Sequence, residues 1–199
     1  MAPHFETVKS FADVPIAETG VATAAFLLAS DGLVAMFDLL GAGVFGFVQA
    51  DIRSNIAGVR ERFDAAPGDS GTREDLVRHE HEQTQGAKHG TQCLVRLVRG
   101  LAFTCLALQT TQAEPRCALH VCFRRAYDAV LRPHHTFVVR SVVTLAIRAV
   151  PRRDHFFAQI AQGGGSEKFE AELRRWLVGL DAIVRHMKGF LAEGGYGRV

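Results

Sequence analysis

The chain lacks most of what announces an enzyme, a secreted protein or a nucleic-acid binder. No Gly-x-Ser-x-Gly elbow and no His-Glu-x-x-His motif occur, and Gly163-Gly-Gly-Ser166 lacks the Gly-Lys-Ser/Thr ending of a phosphate loop. The start, Met1-Ala-Pro-His-Phe-Glu6, has neither the basic region nor the unbroken apolar core of a signal peptide, so a cytoplasmic protein is expected. The apolar stretch from Leu39 to Ala50 is too short to cross a bilayer and is split by Gly41, Gly43 and Gly46, so no transmembrane helix is expected. Cys93, Cys105, Cys117 and Cys122 show no Cys-x-x-Cys spacing; in a chain of 199 residues, long enough to bury a core without staples, they read as reduced packing residues. Charge of one sign is also missing. With 23 basic against 21 acidic residues and no basic tract interleaved with aromatics, nucleic acid is not expected as a partner.

What is present is a globular composition, 48% hydrophobic and 22% charged, with no internal repeat, and it suits one domain spanning residues 1–199. Apolar residues recur at helical spacing from Thr19 to Leu40, with a break expected at Ser30-Asp31-Gly32, and again from about Val44 to Phe63. Turn chemistry follows at Asp64 to Gly71. Further helices are expected over Arg73–Gln85, Gln92–Leu108, Cys117–Leu131 and between Pro133 and Pro151, and a long amphipathic one after Gly163-Gly-Gly165, with Ser166 as its cap. The fold class is all-α.

A few polar residues break these patterns. Arg96 and Arg99 share one side of a helix that is otherwise apolar on every face. Two cations there either snorkel to water or answer an anion, and the guanidinium fork matches phosphate oxygens. Asp51 and Asn55, four apart, project together beside the greasy run Val44 to Val48. His134 and His135 follow Pro133, where histidine commonly serves structure or faces solvent. His79-Glu80-His81-Glu82 has the composition of a metal site, but residues two apart on a helix point to different faces, so it reads as a solvated polar face and no metal is expected.

The order of these segments resembles the glycolipid transfer protein family. Phe37-Asp-Leu-Leu-Gly41-Ala-Gly-Val44-Phe45-Gly-Phe-Val-Gln-Ala-Asp51-Ile-Arg-Ser-Asn55-Ile56 has the family's form of Gly, Val-Phe, then Asp-Ile-x-x-Asn-Ile. Leu94-Val-Arg96-Leu-Val-Arg99-Gly-Leu101, Ala126-Tyr127-x-x-x-Leu131-x-x-x-His135, Ala146 to Pro151 with Phe156, and Tyr196-Gly-Arg-Val199 extend the likeness over most of the chain. The resemblance implies a two-layer helical sandwich of about eight helices, whose layers part to take in sphingolipid chains, with no catalysis and no cofactor. It also implies headgroup contacts by Asp51, Asn55 and His135: Asp and His at the ceramide amide, Asp and Asn at polar headgroup atoms.

Where family members bind glycolipid, they carry Trp at the position of Arg96; where they bind ceramide-1-phosphate, they carry Arg. Arg96 with Arg99 would come close to neutralising a phosphate of about −1.5 to −2 charges. Ceramide-1-phosphate is therefore the expected ligand, and a neutral glycosphingolipid the alternative. Both sites have gaps. Gln92 stands where phosphate binders usually have a basic residue, Asn55 where they can have Lys, and Gly58 where glycolipid binders have Lys; Arg62, back on the face of Asp51, is a candidate replacement cation.

Pulling a ceramide of about 30 methylenes into water costs on the order of 24 kcal/mol at roughly 0.8 per methylene, so a carrier must supply an enclosed apolar surface. Phe37, Leu40, Val44, Phe45, Phe47, Phe103, Val142 and Leu145 are candidates for it, with plain core packing as the alternative for each. Transient membrane contact is expected through Phe137, where relatives often place Trp, and through Arg152, Arg153 and Phe156. The expected activity is intermembrane sphingolipid transfer by a monomer. A sphingolipid-gated sensor, or an enzyme using Asp51 and His135 as acid and base, are the competing readings.

Overall fold

The computed structural model describes residues 4–40, 46–83 and 86–199. Helices dominate them: α1 (His4–Thr7), α2 (Thr23–Leu39), α3 (Gly46–Ala65), α4 (Arg73–Gln83), α5 (His89–Ala113), α6 (Leu119–Val130), α7 (Phe137–Arg148), α8 (Arg153–Ala161) and α9 (Ser166–Glu193). Three-residue 3-10 turns stand at Phe11–Asp13, Pro67–Asp69 and Arg132–His134. A minimal hairpin, β1 (Ile16–Ala17) against β2 (Gly20–Val21), is the only paired sheet among the described residues. The all-α expectation holds, as a two-layer helical sandwich in which the one-turn α1 is added to eight longer helices.

The layers meet on α5, which packs against α3, α4, α6 and α9. A helix apolar over most of its circumference must be largely surrounded, and α5 is buried from Gly90 to Thr111 except along a stripe through Gln92, Arg96, Arg99 and Leu106. By length and composition α5 could cross a membrane, but 72% of its most apolar window is buried inside this fold.

Both ends of α5 are capped from other helices. At its start the residue in the capping position, Lys88, makes no side-chain cap. Instead the buried carboxylate of Glu80, on α4, accepts from the Gly90 N–H (2.8 Å), the Thr91 N–H (2.7 Å) and the Thr91 hydroxyl (2.6 Å). At its end the Arg153 guanidinium, on α8, donates to the carbonyls of Thr111 (2.7 Å), Glu114 and Cys117 (both 2.9 Å). An anion at the N-terminus and a cation at the C-terminus oppose the helix dipole in the favourable sense. The reading of residues 79–82 as a solvated face fails at Glu80 for this reason: its role comes from a helix ten residues away.

α2 runs unbroken through Ser30-Asp31-Gly32, where a break was expected. Gly32 is the residue that lets Val8 cross: a Cβ there would lie 2.9 Å from the Val8 Cβ. Ser30 is buried, and Asp31 pairs with Arg60 of α3 at 2.8 Å. Tertiary packing offsets the roughly 1 kcal/mol helix cost of glycine. At α9, Gly165 takes the capping position and Ser166 is the first helical residue, one step from the expected register.

A row of ring contacts joins the two ends of the core. It runs Phe103, Phe123, Phe156, Phe157, Phe169, Phe5, Trp176, Phe11 and Phe26, with successive centroids 5.2–6.1 Å apart. Edge-on and tilted pairs at these separations add to plain burial. At its far end the buried guanidinium of Arg73 lies 3.2 Å from the centre of the Phe26 ring.

Candidate headgroup and chain site

The near end of the ring row opens on a cavity of about 290 Å³ between α3, α5, α6 and α7. Its wall on α3 is Phe47, Val48, Asp51 and Ile52; on α5 it is Arg96, Arg99, Gly100, Phe103 and Thr104. Phe37 and Phe123 close the back, Leu131, His134 and His135 the turn side, and Val139, Val143, Ala146, Ile147 and Val150 the α7 side. The polar lining residues thus come from three segments far apart in sequence, and most of the remaining wall is hydrocarbon.

Asp51 is exposed on that wall, and Asn55 stands behind it, buried. The Asn55 side-chain amide donates to the Asp51 carbonyl (2.8 Å) and to its Oδ2 (3.2 Å), so the one-turn spacing becomes a clamp on the carboxylate. Asn55 is not itself a lining residue. His135 is half-buried, with its Nδ1 3.3 Å from the Tyr127 hydroxyl, which orients the ring. Burial lowers the His135 pKa, and Asp51 opposes that shift. Burial and the charge of Arg99 both lower His134. Arg99 is itself lowered by burial and by Arg96, and its Nε donates to the Arg198 carbonyl at 2.7 Å. Arg96 is exposed and makes no hydrogen bond or ion pair among the described residues.

Of the expected chain-lining residues, Phe37, Phe47 and Phe103 are in the wall. Val44 and Phe45 lie outside the described residues. Leu40, the residue that closes α2, packs partly buried against the core and does not reach the cavity. Val142 and Leu145 are corrected: they are 40% and 64% exposed on the outside of α7. The inward stripe of that helix is 139, 143, 146 and 147, continued by Val150 just past its end, and 142 and 145 fall off it. Arg140, Ser141, Thr144 and Arg148 make one polar stripe on α7, but apolar residues fill the rest of its circumference, so periodicity alone could not say which part of that apolar surface faces inward.

Of the expected docking residues, Phe137 is 82% exposed, and Arg152 is exposed and 3.7 Å from Asp154. Phe156 is corrected to core, 1% exposed between Phe123 and Phe157, and Arg153 is occupied with the end of α5. Arg62 stands against Gly90, reaching Gln83 at 3.5 Å, and adds no cation to the cavity. Gly58 is a packing residue, since a Cβ there would overlap the Cys93 sulfur where α3 meets α5. The sequence reading gave no site role to His134 or Thr104; the only signal for His134 was its place beside His135. No group of three His, Cys, Asp or Glu able to hold a metal occurs among the described residues.

Residues 21–162 match the family model described as glycolipid transfer protein. A glycolipid transfer protein of Aureobasidium melanogenum is 40% identical over 191 residues, 95% of this chain and 92% of that protein. Pleckstrin homology domain-containing family A member 8 of Homo sapiens is 33% identical over 171 residues, 84% of this chain, which spans 33% of that longer protein. Among solved structures, the fungal glycolipid transfer protein HET-C2 superposes with a TM-score of 0.88 at 40% identity, covering 95% of this chain and 96% of that one. FAPP2, described as selecting simple glycosphingolipids with this fold, gives 0.87 at 28%, covering 98% and 97%. Mouse ceramide-1-phosphate transfer protein gives 0.85 at 22% identity, covering 98% of each chain, a likeness of fold.

Proposed function

The chain belongs to the glycolipid transfer protein family, and we propose that it is a single-domain carrier that lifts one sphingolipid from a donor membrane and releases it at an acceptor. Members of the family are lipid transfer proteins, not enzymes, and the carrier reading asks for no covalent step. The lipid chains occupy the cavity between α3, α5, α6 and α7. At about 290 Å³ it lies at the small end of ligand sites, so full-length chains require its walls to part.

The headgroup in this reading is a phosphate, and the ligand ceramide-1-phosphate. The observation that carries it is Arg96: exposed on the cavity wall, free of ion pairs among the described residues, and close enough to Arg99 to lower its pKa. Two guanidinium groups side by side repel each other. A phosphate relieves that repulsion and satisfies both forks, whereas a neutral sugar leaves them as they are. Asp51, braced by Asn55, accepts from the ceramide amide N–H, and His135, oriented by Tyr127, takes the amide oxygen.

Docking uses the outer face of α7, where Phe137, Val138, Val142 and Leu145 are exposed together, with Arg152 adding attraction to anionic lipid. The carrier is then a cytoplasmic monomer that touches membranes transiently.

Transfer of a neutral glycosphingolipid is the second reading, favoured by the 40% identity to a fungal glycolipid transfer protein. Vesicle-to-vesicle transfer of fluorescent ceramide-1-phosphate, glucosylceramide and phosphatidic acid, run side by side, separates the two. Selective ceramide-1-phosphate transfer is expected. Glucosylceramide transfer without ceramide-1-phosphate would make the arginines structural, and binding without transfer of any lipid would favour a sensor.

A further inference from the structure

Two adjacent histidines line the cavity, and the headgroup reading uses only His135. Adjacent side chains reach one cavity here because of the turn that carries them. Pro133 is the second residue of the 3-10 turn Arg132–His134, His134 N–H closes on the Leu131 carbonyl at 3.0 Å, and the chain then extends at His135. His135 is engaged by Tyr127 and faces Asp51. The His134 ring makes no hydrogen bond among the described residues, and Arg99 is the charge that bears on it.

The charges around the headgroup do not balance without it. A phosphate monoester brings about −1.5 to −2. Asp51 adds one negative charge, and Arg96 and Arg99 together answer two, which leaves a deficit of close to one positive charge when the dianion is bound. With a neutral headgroup there is no deficit. On the remaining sides of the turn, Arg132 is 3.4 Å from Asp128 of α6, and Arg140 of α7 donates through Nε to the Arg132 carbonyl at 3.1 Å. Both are committed around the turn's outer edge and neither lines the cavity.

We propose that His134 is a headgroup-selecting residue: uncharged in the empty site, it takes up one proton from solvent as a phosphate-bearing sphingolipid enters, and returns it when the lipid leaves. Below neutral pH the site favours the phosphate over a sugar, and above it that preference fades. The inference rests on the phosphate reading. Desolvation at the cavity wall and the charge of Arg99 both favour the uncharged ring when the site is empty, and the incoming dianion reverses the local field.

The test is NMR titration of the imidazole nitrogens in the full chain: free, with short-chain ceramide-1-phosphate, and with short-chain glucosylceramide. The His134 midpoint is expected to rise by about one pH unit with the phosphate lipid, the scale of one close opposite charge, and to stay put with the sugar lipid. Transfer assays at pH 6 and 8 give an independent reading. His134→Gln should lower the ceramide-1-phosphate to glucosylceramide transfer ratio about tenfold at pH 6, and His134→Lys should keep that ratio high at pH 8. The lipid phosphate in the donor vesicle titrates alike for all three proteins, so differences between them report on the residue at position 134. A His134 midpoint that does not move while Arg96 signals shift with ceramide-1-phosphate would overturn the proposal and leave the phosphate reading standing. Arg96 signals that respond to glucosylceramide alone would overturn both.

Discussion

On the proposed reading Asp51 and Arg96 divide the headgroup end between an acceptor and a donor, and their variants should fail differently. Asp51→Val removes the carboxylate assigned to the ceramide amide and leaves the Asn55 amide one partner short, so transfer of every sphingolipid should disappear while far-UV circular dichroism stays that of a folded helix bundle. Normal transfer by that variant would dismiss the headgroup assignment. Arg96→Leu removes an exposed side chain with no protein partner among the described residues, so stability should change by less than about 0.5 kcal/mol. Ceramide-1-phosphate transfer should fall about 10- to 100-fold, the worth of one charge-assisted contact; undiminished transfer would take Arg96 out of the site. These positions were legible in the sequence because they are polar exceptions in apolar helices. Phe156 and Arg153 were misread because a basic-aromatic cluster looks the same whether its rings face a bilayer or a core. The end of α5, which decides the matter, lies some forty residues away.

At the scale of the element, α5 shows how a helix can depend on its neighbours for its ends. Glu80→Ala should orphan the Gly90 and Thr91 N–H groups and cost about 2–4 kcal/mol, read as a lower denaturation midpoint with little change in slope; a loss under about 0.5 kcal/mol would mean solvent caps the helix as well. α7 makes the opposite case, since its outer face holds nothing in place. Phe137→Asp should leave thermal stability unchanged and reduce sedimentation with anionic vesicles severalfold, while equal sedimentation would move docking elsewhere. Helix existence and type followed from periodicity. The continuity of α2 through Gly32 did not, because the Val8 crossing that stabilises it belongs to a different segment.

For the whole molecule, the ring row links the cavity wall to Trp176, which is 1% exposed. Its emission should therefore follow global unfolding and stay constant when vesicles are added; a blue shift on vesicle addition would place Trp176 at the membrane. The pH profile should also be a property of the whole fold. Burial lowers His4, and also His134 and His135, below the ordinary 6.5. The unfolded chain then binds those protons more readily, so their effect on stability is absent well above pH 6.5 and becomes destabilising as pH falls through that value. The urea midpoint should drop between pH 7.5 and 5.5, and a midpoint that rises over that range would contradict the assignment. α7 carries one more consequence. With Val139 and Val143 on its inside and Val138 and Leu145 on its outside, it divides oil from oil once the protein is docked. If docking is through this face, a chain sliding past α7 from bilayer to cavity would meet no watery threshold, and its entry would be a sideways flow resisted by viscosity and helix movement, not hydration.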